Sequence, residues 1–324
     1  DWGRLESKTL HTVLAFGVLL VVARVRPQTL SNFAPPMYIF GVLLLLGVHF
    51  FGVTVNGSTR WLNLGLFRLQ PSEIMKIALP MVVAWFFQRY ENDLRWYHYL
   101  IALVVVLVPG ALILKQPDLG TATLIMASGL LVVFFAGLPW KVIAAALIGF
   151  AASLPLIWNY GLHDYQKRRL LDPTQDPLGS GYHILQSMIA IGSGGLWGKG
   201  WLNGTQTRLD YIPESTTDFI FAVYGEEFGL IGNLLLLLVY TIIIGRGLYI
   251  SFKATTLYNR TLAAALTMTF FCYAFVNMGM VSGILPVVGV PLPLVSYGGT
   301  ATLSIMAILA LLMGIANQNK KRFR

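Results

Sequence analysis

Apolar stretches recur along this chain at the length of a bilayer crossing, near residues 9–24, 36–54, 72–88, 97–114, 119–137, 140–158, 219–245, 262–282 and 294–316. A hydrocarbon core takes roughly 20 apolar residues per helix, so about nine transmembrane helices are expected. Of the 324 residues, 56% are hydrophobic and 11% charged, too much apolar surface for a water-soluble core. The expectation is an all-α polytopic membrane protein, a single integral membrane domain over 1–324 with neither an internal repeat nor a separate soluble domain. The first run lacks the charged start and small-residue cleavage site of a secretory signal, and it reads as a retained span.

The net charge of +9 raises the question of nucleic acid, but the 23 Lys and Arg residues are scattered among loops and form no aromatic-interleaved patch. Their distribution speaks to topology instead. Assigning loops alternately to two sides puts twelve on one side, among them Arg24, Arg26, Arg246 and Lys253, and six in the short loops and helix ends of the other. The richer side is expected to be cytoplasmic, so the segment 160–218 faces outward. Cys272 lies within a span and suits neither a disulfide framework nor a metal site.

Two outward segments have content: "NGSTRWLNLGLFRLQPSE" at 56–73, and the stretch from Gly161 to Asp218. The second carries the amphipathic "GYHILQSMIAIG", which argues for a large structured loop at the membrane surface. "GSGGLWGKG" at 192–200 resembles a phosphate loop only superficially: a Walker motif needs Gly in place of Ser193 and Ser or Thr in place of Gly200. A dinucleotide fingerprint would need a glycine at Trp197. His98, His163 and His183 have no ligand spacing and read as polar loop or interfacial residues. Nucleotide-driven chemistry is therefore not expected.

Ionisable groups beside membrane spans are costly and mark function or a buried partner. In "LQPSEIMKIALP", Pro71 opens a helix on which Glu73 and Lys76 share a face at i and i+3, either as a self-neutralising pair or as substrate contacts. In "KQPDLGTA", Lys115 can hold a phosphate at the membrane surface or merely snorkel, and Asp118 can simply cap the next helix. Arg60, beside the interfacial Trp61, offers the same choice as Lys115. "PESTTDFIFAVYGEEFG" at 213–229 carries Glu214, Asp218, Glu226 and Glu227, with Ser215, Thr216 or Thr217 as the expected cap and Asp218 in the helix's first turn. At 100° per residue these acids diverge around the helix. Asp218 faces the outward boundary, as a general base or as an ordinary first-turn acid, while Glu226 and Glu227 are expected to bond neighbouring helices. "GILPVVGVPLPLVSYGGTA" at 283–301 is stiff, apolar and non-helical, a rigid connection or the wall of a cavity.

"NGSTRWLNLG", "QPSEIMKIA", "QPDLGTA", "DPLGSGYHILQSMIAIGSGGLWGKGW", "PESTTDFIFAVYGEEFG" and "LPVVGVPLPLVSYGG", in this order along nearly the whole chain, resemble the SEDS family of shape, elongation, division and sporulation proteins, in its rod-shape rather than its division branch. The resemblance implies a peptidoglycan glycosyltransferase of the bacterial cytoplasmic (inner) membrane that polymerises lipid II at the outer face during cell elongation. The family's essential acid falls on Asp218, so the loop 160–218 carries the catalytic end. Partners implied are a class B penicillin-binding protein, other elongation-complex membrane proteins, lipid II and lipid-linked glycan, but no nucleic acid. Family members usually have ten spans, and the first is expected to be missing from this sequence. The run "DYQKRRLLDPTQDP" at 164–177 is a few residues short of the family's loop.

Joined to the residues, the resemblance has Asp218 deprotonating a sugar hydroxyl that displaces polyprenyl pyrophosphate with inversion. Lys115, Arg60 or a divalent cation (Mg or Mn), with Asp218 as a candidate ligand, would offset the leaving charge. Glu73, Lys76 and Asp118 are further candidates for substrate contact, and Glu226 and Glu227 for support; no organic cofactor is implied. Two alternatives stand beside this one. A lipid II flippase calls for deep charges or repeat symmetry, and a non-catalytic scaffold would not need Asp218.

Overall fold

The computed structural model describes residues 2–55, 58–63, 68–156, 158–159, 180–209, 211–212 and 214–322. The expected loop geometry at 164–177, and His163, lie outside the described residues. Among the described residues eleven helices are defined: α1 (Trp2–Val22), α2 (Pro27–Phe51), α3 (Pro71–Arg89), α4 (Trp96–Leu114), α5 (Leu119–Phe135), α6 (Trp140–Leu156), α7 (Ser180–Ser193), α8 (Thr205–Arg208), α9 (Ile220–Phe252), α10 (Leu257–Val281) and α11 (Gly299–Arg322). The chain divides into two compact units, one of residues 1–136, 241–273 and 297–324, the other of 137–240 and 274–296, and α9 and α10 contribute residues to both.

Among the described residues, α2, α4, α9, α10 and most of α11 are long and apolar enough to cross a membrane, and Lys8–Val22 and Leu119–Phe135 are shorter apolar helices. Large apolar side chains stay on the outside of several of them, including Phe33, Phe40 and Leu43 of α2 and Leu234, Leu235 and Leu238 of α9. Lipid is the solvent that makes such a surface cheap. Prolines sit inside α2, α3, α4 and α6, as membrane helices tolerate when their neighbours satisfy the freed carbonyls.

In the first unit α3 is the central element, packed against α2, α4, α5 and α11. Met75, Ala78, Leu79, Met81, Val83, Ala84 and Phe87 are all enclosed. The run 72–88 is thus a helix, as its pattern predicts, but it meets protein rather than lipid. That is why it can carry charge. The sequence does not anticipate the small antiparallel sheet before it, β1 (Val53–Val55), β2 (Ser58–Asn63) and β3 (Arg68–Leu69), in the order β1-β2-β3. Alternating Thr and Val at 53–55 meets "STRWLN" in register Val53↔Trp61 and Thr54↔Thr59, with an irregularity between Val53 and Thr54. The strands are too short for a sequence pattern to separate them from loop. They matter because β2 carries Arg60.

The second unit is organised around a break in α9. Gly229 has φ 64° and ψ −161°, a region open essentially to glycine alone. Such a break orphans the carbonyls of Glu226 and Glu227 and the amides of Leu230 and Ile231, which would otherwise pair with one another. The 194–200 segment supplies every missing partner. Lys199 N donates to Glu226 O at 3.0 Å and Gly200 N to Glu227 O at 3.0 Å, while Leu230 N donates to Gly195 O at 2.9 Å and Ile231 N to Leu196 O at 3.2 Å. The glycine-rich "GSGGLWGKG" is thus a backbone insert into a helix, not a phosphate cradle. A Cβ on Gly198 would overlap the Glu227 carbonyl, and one on Gly229 would overlap Gly198 N.

Candidate active site

Within the second unit, Asp218 lies in a turn that ends where α9 begins at Ile220, not in the first helical turn that its neighbours predict. The reason is local. Glu214 adopts a positive φ of 52°, and its carbonyl accepts Thr217 N at 3.1 Å and Phe219 N at 3.2 Å, closing a turn that holds the chain off the helix for two residues more. Thr217 does not cap the helix; its hydroxyl bonds the Glu214 carboxylate at 2.8 Å.

Two side chains from outside this turn grip its backbone. Asn277 of α10, fully buried, donates through Nδ2 to Asp218 O at 2.8 Å and to Val290 O at 2.6 Å. Ser296 Oγ donates to Thr217 O at 2.6 Å and accepts Leu292 N at 2.7 Å. The carbonyls of 217 and 218 are therefore fastened to α10 and to the stiff segment after it, which Tyr240 also anchors through Pro293 O at 2.7 Å. Gly289 (φ 66°) lies so close that a Cβ there would stand 3.3 Å from Asp218 Oδ2. "LPVVGVPLP" is thus a wall beside the carboxylate, and Asp218 itself remains partly exposed. His183 on α7 sets its ring edge-on to Phe219 at 6.0 Å, with an enclosed Nδ1 that has no hydrogen-bond partner among the described residues. Asn277 and Ser296 escaped the sequence reasoning, and His183, expected as a polar loop or interfacial residue, lies within helix α7. The available signal was a buried-type asparagine in an otherwise apolar span.

Glu226 bonds neighbouring helices as expected, accepting from Ser193 Oγ of α7 at 3.4 Å and from the start of α8, and together with Glu227 it also holds the segment that joins them. Glu226, with no exposed surface, accepts at Oε1 from Lys199 Nζ (2.7 Å), Thr205 N (2.9 Å), Thr205 Oγ1 (3.0 Å) and Gln206 N (3.2 Å). Glu227 accepts the backbone N–H of Leu202. The four acids of the 213–229 stretch thus have separate tasks.

The remaining candidates belong to the first unit. Arg60 Nη1 pairs with Asp118 Oδ2 at 3.2 Å. Asp118 also caps α5 through Oδ1, which accepts Thr121 N at 3.1 Å. Lys115, the C-cap of α4, is exposed and has no ion-pair partner among the described residues. Glu73 and Lys76 form an enclosed network: Lys76 Nζ is 2.6 Å from Glu73 Oε1 and 4.9 Å from the centre of the Tyr273 ring, and Ser304 Oγ donates to Glu73 Oε2 at 2.5 Å. Both carboxylate oxygens are engaged, and the Lys76 side chain is 5% exposed. Of the two readings of this pair, the geometry favours the structural one. His98 is not a loop residue: it is buried in the first turn of α4, where Nδ1 accepts Arg95 N at 3.0 Å.

A bundle of lipid-facing apolar helices with a backbone-clamped carboxylate at the start of one of them defines a multi-pass helical membrane protein. Residues 4–321 match the FtsW, RodA and SpoVE family, described as cell cycle proteins, and the chain belongs to that family. It is 49% identical over 323 residues to the peptidoglycan glycosyltransferase MrdB of Escherichia coli K12, covering 99% of this chain and 87% of that protein. A chain of a peptidoglycan synthase complex, solved for the structural coordination of polymerization and crosslinking, superposes with a TM-score of 0.83 at 28% identity, covering 98% of this chain and 91% of the other. The rod shape determining protein RodA of Thermus thermophilus superposes with a TM-score of 0.74 at 27% identity, covering 98% and 89%.

Proposed function

We propose that this chain is a peptidoglycan glycosyltransferase that polymerises lipid II at the outer face of the bacterial cytoplasmic membrane during elongation, with Asp218 as its general base. The observation that carries the assignment of the base is the double clamp on the carbonyls of 217 and 218, which spends two buried side chains on fixing one partly exposed acid. The relationship to MrdB supports the reaction class.

In this reading the Asp218 carboxylate takes the proton of an acceptor sugar hydroxyl. The oxygen forms a bond to the donor's anomeric carbon as that carbon's bond to polyprenyl pyrophosphate breaks, so the configuration inverts and the negative charge leaves on the pyrophosphate. Lys115 is the protein cation proposed to hold a lipid phosphate, because Arg60 is engaged with Asp118 and Lys76 with Glu73. A divalent cation, Mg or Mn, is the other means of offsetting that charge. No three His, Cys, Asp or Glu residues gather among the described residues, so such an ion would take Asp218 as protein ligand and the pyrophosphate oxygens as its main donors. The product strands would be crosslinked by a class B penicillin-binding protein bound to this chain, alongside other elongation-complex membrane proteins.

The test is polymerisation of lipid II in liposomes by the purified chain with its partner, comparing wild type with Asp218→Asn at matched thermal stability. Loss of a sole general base lowers the rate by about 10²–10⁴-fold. An Asp218→Asn protein that polymerises at the wild-type rate sinks the assignment; if the wild type moves lipid II across the bilayer without polymerising it, the flippase reading replaces this one.

A further inference from the structure

The first unit contains a cavity of about 1170 Å³ between the α1–α2 turn, the end of α9 and the last turns of α11. Its lining includes Arg24, Arg26, Arg246 and Lys253, and no acidic residue. None of these four has an ion-pair partner among the described residues. Four like charges around one concavity repel unless an anion joins them.

The rest of the lining fits one kind of anion. Tyr249 lies beneath two of the cations, 5.2 Å from the Arg246 guanidinium and 5.9 Å from Lys253 Nζ, an amphipathic ring of the sort that settles at a membrane interface. Asn319 is 7% exposed, and its Oδ1 accepts no hydrogen bond among the described residues. It offers a sheltered acceptor for a hydroxyl. The cavity lies at the ends of lipid-facing helices, on the side where basic residues concentrate in the sequence. Positive-inside topology alone accounts for cations near that surface, but not for their convergence on a large concavity with a buried, unpaired acceptor.

We propose that this cavity binds the headgroup of an anionic phospholipid, its phosphate among Arg24, Arg26, Arg246 and Lys253 and a headgroup hydroxyl on Asn319. Basic pockets between membrane helices recognise such headgroups. Phosphatidylglycerol has both features; phosphatidylcholine has the phosphate, but neither the net negative charge nor the hydroxyl.

Native mass spectrometry of the full chain in detergent, titrated with phosphatidylglycerol or phosphatidylcholine, tests it. The wild type is expected to retain phosphatidylglycerol selectively, and Arg246→Gln with Lys253→Gln to weaken it about 10-fold or more. The charge-keeping Arg246→Lys with Lys253→Arg preserves selectivity, and so does Arg89→Gln with Arg95→Gln, outside the cavity lining. If the first pair of Gln substitutions unfolds the protein, Arg24→Gln with Arg26→Gln provides the same test. Equal retention of both lipids, or undiminished binding by folded Gln variants, overturns the proposal. Displacement of the lipid by equimolar inorganic phosphate makes the cavity a free-phosphate site and overturns the lipid assignment, and displacement only by an acidic peptide makes it a protein-docking site and does the same.

Discussion

Asp218 illustrates how a single acid acquires a role from what holds its backbone. A carboxylate in a free turn samples many orientations, and a misplacement of about 1 Å at a reacting centre can cost on the order of 10²-fold in rate. Here Asn277 Nδ2 ties Asp218 O to Val290 O, so in the proposed reaction Asn277 would act as a positioning residue. Asn277→Ala should lower kcat by about 10- to 100-fold with little change in KM, while Asn277→Gln, which keeps the donor, should recover part of it. Turnover of lipid II by each variant checks this. Equal loss in the Ala and Gln variants, or a rise in KM alone, would assign Asn277 to packing or substrate binding instead.

At the scale of elements, the loop threaded through α9 stands on one backbone conformation. Gly229→Ala puts a Cβ onto Gly198 N in a region of φ and ψ that alanine does not share. The insert should then leave the helix, freeing the four bonded backbone groups and loosening the Lys199–Glu226 pair. The expected result is a lower unfolding temperature, faster tryptic cleavage after Lys199 or Arg208, and lost polymerisation; a Gly229→Ala protein as protease-resistant as wild type would refute this account. The same loop marks the limit of the sequence reading. Apolar periodicity located the spans, because helix length and lipid thickness are local properties, and the acids at helix ends stood out by their cost. The insert was invisible because its meaning depends on carbonyls 226 and 227, some thirty residues away along the chain. The clamp on Asp218 was hidden likewise, since Asn277 and Ser296 come from distant segments, and the short strands at 53–69 fell below the length that alternation resolves.

For the whole molecule, the solvent decides what exposure means. Leu238 is 54% exposed in the middle of α9, and Phe252 is 80% exposed at its end. In a water-soluble protein a charged substitution at either site would change stability by less than about 0.5 kcal/mol. With lipid as solvent the two sites separate. An arginine near a helix centre costs about 2.5–3.5 kcal/mol on insertion, whereas one at a helix end extends its guanidinium to the headgroups at little cost. Leu238→Arg should therefore reduce the fraction of chain integrated into membranes during cell-free synthesis, and Phe252→Arg should not. With a partner protein co-synthesised, equal and undiminished integration of both variants would mean either that a partner's transmembrane helix shields the face bearing Leu238 from lipid or that the bilayer absorbs the cost. Repeating the synthesis without the partner distinguishes shielding from a cost the bilayer itself absorbs by thinning, because only partner shielding is lost when the partner is left out.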